Sequence, residues 1–297
     1  MGYGVKFGFA LMTLSALSFG VGDIAVKVWG ENISPWQIAT VRAIMGLIVA
    51  IIMGRMDFRS LLISDWPWQV AVGVSSTLGF ICLLSAIISL PISVAMPLIY
   101  TYPALGALMA PIINREKPTA VDWLAISIAV VGVILLAYGA TDPDAPGGAS
   151  WTGVAWGLAG AFWIGLMINL TRRQAKARAT HVILFYLFAV NLTICLPVML
   201  AVDGFYFPAF DAAATLYLLI APANVLALLL MSKAYCYIYA YHGGVILTLE
   251  AVFAAFFGII FLKEPLLVWA VMGGLLMITS SVMISLSARP QVKTAQE

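Results

Sequence analysis

The sequence predicts an all-α integral membrane protein: ten transmembrane helices arranged as two inverted five-helix repeats, with both termini cytoplasmic. Three observations carry this reading. The first is composition, since 63% of the 297 residues are hydrophobic and 9% are charged, against ~45–50% and ~25% in a soluble domain. So little polar surface excludes a soluble enzyme, a nucleic-acid binder and a disordered scaffold. A net charge of +2 adds no pull towards an anionic partner. The second is the length of the apolar runs, and the third is a likeness between the two halves of the chain.

A bilayer core of ~30 Å takes about 20 apolar residues per helix. On that ruler the spans fall at 6–27, 35–54, 67–88, 92–113, 120–140, 151–171, 180–201, 212–234, 243–262 and 266–287. The links around Pro91 and at Lys263-Glu264-Pro265 are the shortest. The first span is too long for a signal-peptide core and no small-x-small site follows it, so it is expected to stay in the membrane. Cys82, Cys195 and Cys236 each sit in an apolar run without a CxxC, which reads as packing.

Orientation follows from the loops. With the N-terminus inside, twelve of the 15 Lys and Arg fall in cytoplasmic segments, Lys27 and Lys263 fall outside, and Arg42 lies within a span. Asp142, Asp144, Asp203 and Asp211 then lie outside.

The repeat shows as a nearly constant offset. A shift of 145 lays Ala16–Gly20 on Ala161–Gly165 and Lys27 on Arg172; a shift of 148 lays Leu98–Ala107 on Ile246–Ala255 and Arg115-Glu116 on Lys263-Glu264. The organisation read from this is a first repeat at 1–141, an extracytoplasmic linker at 142–150, a second repeat at 151–288 and a cytoplasmic tail at 289–297. Five spans per half is odd, so the second half enters the membrane inverted. Inverted repeats are an architecture of secondary transporters, with the site near the midplane between the halves.

Several segments carry a family likeness: Leu84 to Leu98 with Pro91 and Pro97, Arg115-Glu-Lys-Pro-Thr119 before span five, Leu249-Glu250 in span nine, Lys263-Glu264 before span ten, and Arg42 after Pro35. In these the chain resembles the drug/metabolite transporter superfamily, in its ten-helix EamA-type branch, over nearly its whole length. Ala251 departs from the pattern, in which a proline commonly follows the glutamate, and this removes the residue that would break the helix at Glu250. The Asn-Tyr-Leu-Trp-Pro-like signature associated with aromatic amino-acid exporters is replaced by Ile99-Tyr-Thr-Tyr-Pro103.

An ionisable group inside a span costs ~2.5–3.5 kcal/mol on insertion scales, which makes each one a functional candidate. Glu250 lies near the midplane by helix rise, where it can bind a cationic head group or carry a proton; a neutral acid bonded between helices is the structural alternative. Arg42 can hold a substrate carboxylate through its planar fork or close a charge cluster. Asp23 and Lys27, one turn apart at the outer end of span one, read as a self-neutralising pair or an external gate. Asn224, after Pro222, and Asn169 can coordinate substrate or bond neighbouring helices at ~0.6 kcal/mol each; Asn191 reads as the latter. Trp163, Tyr100 and Tyr102 lie deep enough to face a ligand, stacking on it or holding a cation over a ring. Trp66, Trp68, Trp123, Trp151, Trp269 and the tyrosines of 235–241 read as interfacial belt, and His242 as a solvated boundary residue.

The resemblance implies a secondary transporter of a small organic metabolite (an amino acid, amine or similar) in the inner, cytoplasmic membrane, working by alternating access. Glu250 alone suggests proton coupling. The partners expected are the substrate, the lipid bilayer and protons, with no nucleic acid, cofactor or metal. An intramembrane enzyme is the rival class, but it needs a Ser-His pair, paired aspartates within spans or an acidic metal motif, none of which is present. A channel would differ from a carrier in showing neither saturation nor counterflow.

Overall fold

The computed structural model describes residues 3–29, 34–54, 65–89, 98–139, 151–204, 216–262 and 268–287. The linker 142–150, the tail 289–297 and Lys263-Glu264 lie outside the described residues, as does the side chain of Lys27. The described chain is helical without strands. Its helices are α1 (Tyr3–Trp29), α2 (Pro35–Met53), α3 (Trp66–Ser89), α4 (Tyr102–Ile113), α5 (Ala120–Gly139), α6 (Trp151–Ala175) and α7 (Thr180–Val202). A π-helical turn, Leu216–Ile220, then leads into α8 (Ala221–Ala234), followed by α9 (Ala240–Leu247), α10 (Leu249–Leu262) and α11 (Val268–Ser287). Among the described residues six segments are long and apolar enough to cross a membrane, and four shorter apolar helices accompany them. In lipid the backbone must satisfy its own hydrogen bonds, and a helix does so within one segment.

Local sequence starts the helices where it can. Ser34 accepts from Trp36 N at 3.2 Å while Gln37 Oε1 accepts from Ser34 N at 3.2 Å, with Pro35 at the first position, where its missing N–H costs nothing. Thr119 and Asp122 form the same reciprocal box at the start of α5.

Span nine is broken, which corrects the expectation drawn from Ala251. The break comes at Thr248, ahead of Glu250, and needs no proline. Thr248 N and Ala251 N reach carbonyls only three residues back, at 3.2 and 3.1 Å, and Thr248 Oγ1 donates to Val245 O at 2.7 Å. Span four is broken in the same way, by Thr101 N on Leu98 O at 3.3 Å, Ala104 N on Thr101 O at 3.0 Å and Thr101 Oγ1 on Leu98 O at 2.6 Å. Thr101 and Thr248 stand 147 residues apart, so in this stretch the register of the two halves is one residue short of the 148 read from sequence. Irregular backbone at this depth is tolerated only where protein or a wet cavity covers it.

Packing partners recur when the halves are exchanged. The contact of α3 with α6 is matched by α8 with α1, α4 with α6 by α10 with α1, and α3 with α7 by α8 with α2; α2 meets α7 and α5 meets α11 directly. A pseudo-two-fold relation between the halves produces this pattern. The seams are made by small residues. Gly165 approaches Gly106 N and Tyr102 O so closely that a Cβ would stand 3.1 Å from each.

Gly132, on α5, is tighter still: a Cβ there would lie 2.8 Å from Gly273 O, a backbone atom that cannot swing aside, whereas a Cβ on Gly274 would meet only Val252 at 3.8 Å. Gly132→Ala is therefore expected to destabilise by ~1–3 kcal/mol through overpacking. Gly274→Ala should be neutral or gain up to ~1 kcal/mol of helix propensity. Thermal unfolding of both variants in detergent checks the opposite signs; equal melting temperatures would refute the α5–α11 contact.

Candidate functional site

The two breaks bring the interior ends of α4 and α10 together with the C-terminal half of α1. Leu14 marks the bilayer side of α1, and Asp23 follows nine residues later, half a turn round the helix at ~100° per residue. Asp23 is nevertheless exposed, while Gly22 and Ile24 beside it are buried. Its carboxyl faces that of Glu250, in the first turn of α10, closely enough for the two acids to influence each other. Close approach of the helices brings them together: a Cβ on Gly20 would lie 3.3 Å from Glu250 O and 3.0 Å from Phe253 Cβ.

Tyr100 and Tyr102 flank the pair from the break in span four. Both are buried, with ring centroids 6.1 Å apart. Both hydroxyls sit in the field of Glu250, and that of Tyr100 also in the field of Asp23. Asn224 reaches the same place from α8. Its Nδ2 donates to Ile220 O at 3.0 Å, a carbonyl at the end of the π-helical turn, and lies 2.7 Å from where a Cβ of Gly22 would be. Only glycine leaves room for the amide beside Asp23.

Five of the residues singled out by sequence are thus neighbours: Asp23, Tyr100, Tyr102, Asn224 and Glu250. The others stand apart. Asn169 is buried with every polar group engaged: Nδ2 donates to Gly106 O and Gly165 O, both at 2.9 Å, and Oδ1 accepts from Asn114 Nδ2 at 2.9 Å. It ties α4 to α6. Trp163 lies against Gly79 of α3 and meets Phe162 edge-on. Arg42 covers the ring of Phe80.

A second polar cluster, read from sequence only as loop charge, lies at the opposite end of α4. Glu116 is buried; its Oε1 accepts from Arg172 Nε at 3.0 Å and Lys176 Nζ at 2.8 Å, and its Oε2 from Ala240 N at 3.1 Å. Arg172 also donates to Tyr235 O and lies over the ring of Tyr239. One carboxylate thus joins the α4–α5 loop, α6 and the start of α9. Beside it His242 is corrected from a solvated boundary residue: it is 2% exposed and its Nε2 stands 3.3 Å from Asp122 Oδ1. Tyr235 and Tyr241 are buried here too, not in an interfacial belt. The signal in the sequence was Arg115-Glu116, a basic-acidic pair that recurs as Lys263-Glu264.

The profile of the EamA-like transporter family matches the chain twice, at residues 6–138 and 151–286, and the chain belongs to that family. The double match falls on the two halves. A crystal structure of another protein, 15% identical, superposes with a TM-score of 0.79 over 94% of this chain and 96% of its own, which shows a shared fold. No curated protein matches the sequence.

Removing one partner of a buried ion pair strands the other. Glu116→Ala leaves Arg172 without its carboxylate and is expected to cost ~3–5 kcal/mol. Lys176→Ala removes a group that is 30% exposed and should cost ~1 kcal/mol or less. Thermal unfolding of the two variants separates these; similar losses would mean that Glu116 is not the hub of the cluster.

Proposed function

We propose that this member of a transporter family is a secondary carrier of the cytoplasmic, inner membrane. It moves a small organic metabolite bearing a positively charged amino group, by alternating access and in exchange for protons. The organisation proposed with it is ten spans in inverted repeats at 1–141 and 151–288, a linker at 142–150, a tail at 289–297 and both termini cytoplasmic. The distribution of Lys and Arg among the loops supports that orientation.

The observation that carries the reading is the placing of Asp23 beside Glu250, where α1 packs closely on α10 at Gly20. A hydrogen bond between two carboxyl groups needs a proton on one of them. An ammonium group entering between them takes over the role of that proton, which then leaves. Cation and proton therefore compete for one place, and competition at a single site is enough to couple their movements. Tyr100 and Tyr102 offer ring faces and hydroxyls to the cation's substituents, and Asn224 holds the Asp23 side of the pair. The Glu116 cluster supports alternating access, since it ties the α4–α5 loop, α6 and the start of α9 together at the far end of α4 from Tyr102. Lys27, on the same helix as Asp23, is the gate residue of this scheme.

Proteoliposomes with an imposed pH gradient test the proposal against a panel of amines and amino acids. The carrier is expected to accumulate at least one compound with saturation and counterflow. Glu250→Gln and Asp23→Asn should each lower gradient-driven accumulation at least ~10-fold, in line with the loss of a charge-assisted bond. Apparent affinity for the cation should weaken as pH falls, by at most ~10-fold per pH unit for one-for-one competition. Undiminished accumulation in Glu250→Gln would overturn the assignment of the carboxyl pair.

A further inference from the structure

Arg42 is a buried cation that no carboxylate among the described residues neutralises. The bilayer side of α2 is marked by Ile44, Ile48 and Ile52, which are 44, 52 and 67% exposed. Arg42 precedes Ile44 by two residues, ~200° round the helix, so it is turned inward, towards α3 and α7. It is 8% exposed. Its guanidinium carbon lies 5.1 Å from the centroid of the Phe80 ring, the thiol of Cys195 is the neighbouring ionisable group, and Nε has no hydrogen-bond partner. No carboxylate pairs with it among the described residues.

The contrast is with Arg172, equally buried, which has Glu116, a backbone carbonyl and the ring of Tyr239. Arg172 is built into the fold, whereas Arg42 is served by one ring face and its Nε is left without an acceptor. A guanidinium in that setting is arranged to take a planar anion, because its forked N–H groups match the two oxygens of a carboxylate. A lipid phosphate does not reach it, since the side chain points away from the bilayer.

We infer that Arg42 is a second subsite of the carrier, holding the carboxylate of the transported molecule. This rests on the transport reading above and narrows its substrate class. Arg42 and the Asp23–Glu250 pair lie on different helices without touching. The ligand filling both is therefore an amino acid whose charged ends are separated by a chain, and not a bare amine.

The test is calorimetric titration of the full chain in detergent with ω-amino acids of three to six carbons, their matched alkylamines, and butyrate alone. Wild type is compared with Arg42→Gln, Arg42→Lys and Glu250→Gln. At least one amino acid should bind ~10-fold or more tighter than its matched amine, as charged hydrogen bonds imply. Arg42→Gln should erase that margin while leaving the amine's affinity unchanged. Arg42→Lys should keep only part of it, lacking the fork, and it carries the test if Arg42→Gln does not fold. Equal binding of amino acid and amine, or a margin that survives in Arg42→Gln, overturns the subsite. Should no amine bind, the ammonium site of the transport reading falls, but butyrate binding that depends on Arg42 would still uphold the anion site. Chloride binding in place of butyrate, or no binding that depends on Arg42, would overturn it.

Discussion

Most of this architecture follows from one constraint: a polar group taken into lipid must find its partner inside the protein. Backbone groups meet it by winding into helices. The two places where the winding fails, at Thr101 and Thr248, are interior, and in each a threonine hydroxyl bonds the carbonyl three residues back. Side chains meet the constraint in three ways. Glu116 does so by gathering cations and a backbone N–H. Asn169 does so with neutral bonds to two glycine carbonyls. Asp23 and Glu250 do so by lying together inside the bundle.

The same constraint ties stability to mechanism. Glu116 is fully partnered and its cluster behaves as structure, joining a loop of the first half to two elements of the second. The Asp23–Glu250 pair instead sets an acid of α1 against an acid of α10. Glycines set the spacing for both, since Gly20 and Gly22 let α10 and Asn224 come up against α1 beside the acids.

Much of this was legible in the sequence. Apolar run length located the helices, and the offsets of 145 and 148 showed the two halves to be alike. The intramembrane acids and tyrosines were found by cost alone, because a residue expensive in lipid is kept for a reason. What stayed hidden depended on facing and on local competition. The break at Thr248 was masked because Ala251 offers no obstacle to a helix, and a hydroxyl competing for a carbonyl leaves little trace in composition. Sequence sets Asp23 beside Lys27, its neighbour along the helix, and does not show the acid that folding brings to it, Glu250, 227 residues away. His242 and Tyr235 looked like boundary residues because depth along a span says nothing about burial by the rest of the chain.

The two-fold relation makes the α1–α10 and α6–α4 seams counterparts, yet they have diverged in chemistry. The first holds two acids; the second holds Asn169 and the close Gly106–Gly165 contact, with Pro103 standing where Glu250 stands in the other half. A seam that holds acids answers to pH and a neutral seam does not, so the energies of the two counterparts need not change together. Duplication thus supplies the frame, and divergence within one seam supplies its chemistry.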